Sequence, residues 1–247
     1  MKHFKAILKN DFQNYMQYSI LKIVLVLSIL FAAAMAFLPN IDPLLFVYVT
    51  VFILPVIIFA TSVFIENEER TLLPLAICDC STFEIILAKV TSALILLLIP
   101  FVLYTLVMVF VLNMSYSIIL FLLVYLLSAV VHMIVGVVLA IISKSTSIMS
   151  IAYIAYIVIF SVTPIFYSSG LIPEFFKYVL IISPAYLSGV LFQEIVLDYA
   201  FSSEWLIVFS ILLPIVYVVL LSRFVIRPYF KSYLLYSIPE EGEHSVK

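Results

Sequence analysis

The chain has 247 residues, 66% of them hydrophobic and only 11% charged, with a formal net charge of −2 and a mean hydropathy of +1.31. Soluble domains carry about a quarter charged residues, so the composition excludes an ordinary soluble enzyme or nucleic-acid binder and puts the chain in a membrane. The only cysteines, Cys78 and Cys80, are too few for a closed metal site of about four ligands. They read as two reduced thiols.

Residues 1–18 place Phe4, Ile7, Leu8, Phe12, Tyr15 and Met16 on one helical face, with Lys2, Lys5 and Lys9 elsewhere. That pattern predicts an amphipathic elbow helix lying against an anionic leaflet. The next apolar run, 20–38, is longer than the core of a signal peptide and follows a segment containing Asp11, so it reads as a retained first span. A turn over Pro39–Pro43 leads into span two, 44–65, with Pro55 as a kink. Span three, 90–112, contains Pro100; span four is 118–142; a connector with Lys144 precedes span five, 148–167. Span six is 205–226, and a tail, 227–247, ends in Glu240, Glu241 and Glu243.

The segment 170–204 is apolar enough over 175–192 to raise a seventh span, but Lys177, Ser183-Pro184 and Gly189 interrupt it. With six spans and both termini on one face, Lys177 alone of the 12 Lys and Arg falls on the other face. A seventh span would export Arg223, Arg227 and Lys231, against the positive-inside tendency. The expectation is therefore an all-α polytopic membrane protein, a single domain over 1–247. It has six spans, cytoplasmic termini, and short helices dipping into the outer leaflet between spans five and six, broken at Pro184.

Between spans two and three lies the longest polar interruption, 66–89. Ser81 and Glu84 have the spacing of a capping box, which predicts a short helix near 71–77, a turn at 78–80, and a new helix running into span three. The order Glu66-x-Glu68-x-x-Thr71-Leu72, then Ser81-x-x-Glu84-Ile85-x-x-x-Lys89, resembles the loop between spans two and three of type-2 ABC exporter permeases, roughly E-x-E-R-G-T-L-E-L-L-L and S-R-x-E-I-L-x-G-K. Arg70 takes a glycine place, Pro74 falls inside the expected helix, and Ala88 replaces a glycine. The run from Pro164 through Pro173-Glu174 to Ser183-Pro184 and Tyr186 is similar to the same family's re-entrant outer segment.

No G-x-x-x-x-G-K-[ST] phosphate loop occurs; the glycines are Gly136, Gly170, Gly189 and Gly242. If ATP drives the protein, another chain binds it. No catalytic or metal constellation is expected: Glu68 and Glu69 lie in the polar loop, and His132 is alone in mid-span. Intramembrane ionisable groups are functional candidates, so His132 is one, against the plainer reading of an imidazole satisfied by a backbone carbonyl. Tyr153, Tyr156, Phe160 and Tyr167 form a stripe on span five that is either helix packing or a substrate path.

The resemblance implies a bacterial plasma-membrane permease subunit of an ABC exporter for hydrophobic drugs or antimicrobial compounds, close to the fluoroquinolone-exporter type. Its partners would be an ABC ATPase subunit, which holds ATP and Mg, a second identical or different permease, and lipid, with no nucleic acid. ATPase coupling is expected of Glu66, Glu68, Glu69, Arg70, Thr71, Leu72, Ser81, Glu84 and Lys89. The substrate path is expected of His132, Tyr153, Tyr156, Phe160 and Tyr167. The alternatives are a permease for antimicrobial peptides, lipids or glycans, and a secondary transporter, which would need several polar groups at mid-membrane depth.

Overall fold

A computed structural model describes residues 3–38, 41–69, 71, 74–75, 80–143, 145–168, 171–197 and 204–236. Among these the secondary structure is entirely helical. Helix α1 is Phe4–Gln17 and α2 is Ile20–Phe37. The corner between them is Ser19, in the left-handed region at φ 59°, a conformation few non-glycine residues adopt outside sharp turns. Helix α3 is Pro43–Glu68; α4 is Thr82–Leu106, prolonged by wide π turns over Val107–Val111; α5 is Ile118–Ile142. Helix α6, Thr146–Tyr156, passes through π turns at Ile157–Val162 into α7, Thr163–Ser168. A 3-10 turn at Glu174–Phe176 and the short α8, Lys177–Leu180, precede α9, Pro184–Leu197. Helix α10, Glu204–Leu221, continues through π turns at Ser222–Ile226 into α11, Arg227–Tyr236.

Six of these stretches are long and apolar enough to cross a membrane: Ile20–Phe37, Pro43–Asn67, Thr82–Val111, Ile118–Ile142, Ser147–Tyr167 and Glu204–Leu234. Helix α9 is apolar but has only 14 residues, short of the roughly 20 needed to span. Helix starts are written in the sequence as caps. Ser81 Oγ accepts from the Glu84 amide at 3.1 Å, Asp42 Oδ1 from Leu44 at 2.9 Å, and Ser145 Oγ from Ile148 at 3.3 Å, each satisfying a donor that helix geometry leaves orphaned.

Helix α3 is the axis of the bundle. Its most apolar window is 65% buried, against 17% for the last span, so the last span lies at the periphery of the bundle and α3 is wrapped by neighbours. Val47, Val51 and Phe52 of α3, Ala93 and Leu97 of α4, and Tyr125 and Val137 of α5 are fully enclosed. Between α3 and α5 the backbones meet at Gly136, where an added Cβ would lie 3.2 Å from the Val56 carbonyl oxygen and 3.4 Å from the Ala60 nitrogen. Lipid tails are as apolar as leucine, so close packing of this kind, rather than the hydrophobic effect, holds membrane helices together.

Proline inside the spans frees carbonyls that need other donors. Pro164 cannot serve the Phe160 carbonyl four residues back; Ser183 Oγ donates to it at 2.6 Å and also accepts from the Tyr186 amide at 3.2 Å. One hydroxyl thus both repairs span five and caps α9. Tyr48 OH donates to the neighbouring Ser161 carbonyl at 3.1 Å, tying α3 to the same turn.

The helix order sets Ser81 and Ser115, both exposed, at opposite ends of span three. In a variant with Cys78 and Cys80 replaced by serine, S81C and S115C should react with an impermeant thiol reagent from opposite sides of sealed vesicles. Labelling of both from one side would overturn the six-span arrangement.

Candidate coupling site

The residues of the 66–89 motif converge on α1. Lys89 Nζ lies 2.8 Å from Asp11 Oδ1 and 2.6 Å from Glu66 Oε2. The three residues are only 1–2% exposed. Ser92 Oγ donates to the other Asp11 oxygen at 2.9 Å, and Tyr15 OH stands 3.1 Å from Ser92. With the serine proton on the carboxylate, the tyrosine donates to the serine. Burial, and then the Asp11 charge, push the Tyr15 hydroxyl well above its ordinary range, so it stays a donor. Asn14 flanks the Glu66 carboxylate. An ammonium between two carboxylates, all out of water, is held by mutual charge neutralisation, with the Ser92 hydroxyl on the second Asp11 oxygen.

Local structure explains why each partner is there. On α1 the inward stripe is Ile7, Asp11, Asn14 and Tyr15, all buried, a helical spacing of three and four. Lys5 and Lys9 are exposed. The apolar face expected to lie on a leaflet therefore packs largely against the protein. Met16, assigned to that face, is instead 61% exposed, because the true inward stripe turns on the polar Asp11 and Asn14 that a purely apolar count leaves out.

The remaining motif residues hold the elbow's ends. Glu84 Oε1 accepts from the backbone amides of His3 and Phe4 at 3.0 and 3.1 Å. The carboxylate expected to complete a box on Ser81 thus caps the N-terminus of α1, where the helix dipole also favours it. Thr71 sends both its amide and its hydroxyl to the Glu66 carbonyl, at 2.9 and 3.0 Å, closing the end of α3. Glu69 accepts a hydrogen bond from Tyr18 OH. Burial and that carboxylate push the tyrosine up to about 12.

Glu66, Lys89 and Glu84 are thus buried inside the chain and unavailable to an incoming partner, whereas Glu69, Thr71 and Ser81 are exposed. Of the expected short helix, Pro74 and Leu75 are helical; Arg70 and Leu72 lie outside the described residues, as does the Glu68 side chain. Cys80 is buried and disulfide-bonded, a correction to the expected reduced thiol. Cys78 lies outside the described residues. Asp11, Asn14, Tyr15, Tyr18 and Ser92 were missed from the sequence. The available signal was Asp11 four residues before Tyr15 and four after Ile7, on the face that had to be buried.

The substrate-path residues form a second group. His132 is fully buried, its Nδ1 2.7 Å from the Ser128 carbonyl. Its ring lies on Phe52 at 4.7 Å between centroids and against the edge of Tyr156 at 6.1 Å. Tyr156 stacks on Phe160 at 5.3 Å, and Tyr153 packs in the same cluster. The Nε2 of His132 and the hydroxyls of Tyr153 and Tyr156 are buried with no hydrogen-bond partner among the described residues. Tyr167 is apart from them, edge-on to Tyr186 at 5.9 Å.

Six apolar helices and a polar elbow folded back on an N-terminal helix define a multi-pass membrane protein. The chain belongs to the ABC-2 type transporter family, whose family model matches residues 2–197. The match takes in α1, the latch and α9, and stops before span six. Membership indicates the permease subunit of an ABC transporter, a kind of subunit normally without its own ATPase, and implies association with an ABC ATPase subunit. No curated protein and no solved structure matches the chain.

Lys89→Met would leave the Asp11 and Glu66 carboxylates buried with no cation. The loss should be about 3–5 kcal/mol, read as a large fall in the thermal midpoint of the detergent-solubilised protein. Glu66→Gln, which keeps one carboxylate against Lys89, should lose much less. Equal losses in the two variants would remove Lys89 from the centre of the latch.

Proposed function

We propose that the chain is the permease of an ATP-driven exporter for hydrophobic drugs or antimicrobial compounds, of the fluoroquinolone-exporter type. It would work as one of a pair of permeases in a bacterial plasma membrane, with both termini and the 66–89 elbow cytoplasmic. ATP and Mg are bound and consumed on the partner. The observation that carries the reading is the Asp11–Lys89–Glu66 latch within a family-matched elbow. It ties α1, the end of α3 and the start of α4 into one unit, so a push on the loop moves three helices together rather than bending a flexible connector. Helices 171–197 would dip into the outer leaflet, their backbone covered by protein as such segments require; the Ser183 bond to Phe160 supports this.

Docking then falls to what the elbow leaves exposed. Phe83, 73% exposed, stands beside the exposed Ser81 at the start of α4, an aromatic anchor of the kind that dominates interfaces. Phe83→Asp should reduce the ATPase subunit recovered with the purified permease at least tenfold, with no change in the thermal midpoint. Full recovery of a stoichiometric ATPase with this variant would move the docking surface elsewhere. Absence of any ATPase with the unaltered chain would overturn the exporter reading.

For the route, the His132–Tyr156–Phe160 cluster is closed in this conformation and would open between α3 and α6 during transport. Tyr156→Ala should then change which compounds are exported, or weaken export several-fold, at unchanged membrane abundance; ring stacking and cation–π contacts amount to about 0.5–2 kcal/mol each. Lower abundance with unchanged selectivity would make the stripe a packing element.

A further inference from the structure

At the end of the bundle opposite the latch, an open cleft of about 580 Å³ lies between the start of α3, the end of α7, and α9. Its size is that of small-molecule sites. Its lining is largely apolar, with Leu45, Val190 and Leu206 among it. Three tyrosines, Tyr48, Tyr167 and Tyr186, line it as well, and among the described residues Asp42 is the one charged residue in its lining. Asp42 is exposed and lines the cleft; its Oδ1 caps α3 through the Leu44 amide, which holds the carboxylate at the cleft. The cleft owes its depth to Gly189, where a Cβ would come within 3.2 Å of the Tyr48 ring.

We propose that this cleft binds an organic cation with an apolar body. A carboxylate sets the sign of the charge, aromatic faces attract the same charge through their quadrupoles, and the leucine and valine lining takes the body. A phosphate or carboxylate ligand meets no cationic lining residue among those described. The occupant is a transported cation on the far side of the membrane from the latch, or the ammonium headgroup of a lipid. Use of the site in transport rests on the permease reading above; binding does not, and it is measured without ATP or a partner.

The probe is tetraphenylphosphonium, titrated by equilibrium dialysis against the purified full chain in nanodiscs of phosphatidylglycerol. Saturable binding is expected. Asp42→Asn retains the cap, because asparagine is an equally good one, and should weaken binding roughly tenfold, the scale of one charge pair at a half-open site. Gly189→Leu fills the cleft and should abolish binding, while neutral triphenylphosphine oxide should compete poorly with the probe. In phosphatidylcholine nanodiscs a weakened apparent affinity identifies the lipid headgroup as the natural occupant, and an unchanged one a transported cation. Absence of saturable binding, or binding unchanged in Asp42→Asn at an unaltered thermal midpoint, overturns the proposal. Persistent binding alongside a failed ATPase association would leave the site standing and remove the exporter reading.

Discussion

Everything at the loop end of the bundle depends on one ammonium group. Lys89 is brought out of water by α4, a displacement that is strongly unfavourable for an isolated charge, and becomes tolerable because α1 and α3 deliver carboxylates to it at 2.8 and 2.6 Å. The demand runs both ways: Asp11 and Glu66 would be equally untenable in their own helices without Lys89. Geometry therefore follows from charge. Helix α1 cannot drift to the membrane surface while Asp11 is paired, and the end of α3 cannot separate from α4 while Glu66 is. A surface ion pair contributes little and is screened by salt; a buried one mainly fixes which groups face each other.

The same economy governs the interior of the spans, where the solvent offers no hydrogen bonds. Ser183 answers the carbonyl that Pro164 strands, and Thr50 and Tyr104 share a hydrogen bond of 2.9 Å deep between α3 and α4. Such bonds in membranes contribute about 0.6 kcal/mol on average, so their effect is on register more than on stability. They fix which turn of one helix meets which turn of the next. The Nε2 of His132 and the hydroxyl of Tyr156, without partners among the described residues, break this rule, and they break it together, in adjacent rings.

The spans were legible because hydropathy is a one-dimensional property: residues 118–142 read directly as α5, and the short length of Pro184–Leu197 agrees with the interruptions at Lys177 and Pro184. Caps were legible for the same reason, since Ser81 and the Glu84 amide are three residues apart. What the sequence hid was the destination of long side chains. Glu84 had the right spacing to bond Ser81, yet reaches a helix some eighty positions earlier. Lys89 and Glu66 belong to a motif that looks like a docking surface, yet their partner Asp11 stood in the amphipathic segment as an apparent interruption of its apolar face. Pairings across that separation depend on tertiary packing, and no periodicity encodes them. The sequence also gave no sign of the cleft, since Asp42, Tyr167 and Gly189 are far apart in the chain and meet only when α9 folds back.

Helix α3 joins the two ends. It begins at the Asp42 cap beside the cleft and ends at Glu66 in the latch, a continuous helix of 26 residues, about 39 Å at 1.5 Å per residue. A helix transmits axial and tilting motion along its length unless a weak point absorbs it, and proline is such a point because it deletes one backbone bond. Pro55 lies near the middle of α3, but its neighbour Val56 is pressed against Gly136 of α5. The contact braces the helix where its own hydrogen bonding is weakest. The close approach at Gly136 thus fixes how α3 and α5 meet, between the charged end of the bundle and its aromatic cleft.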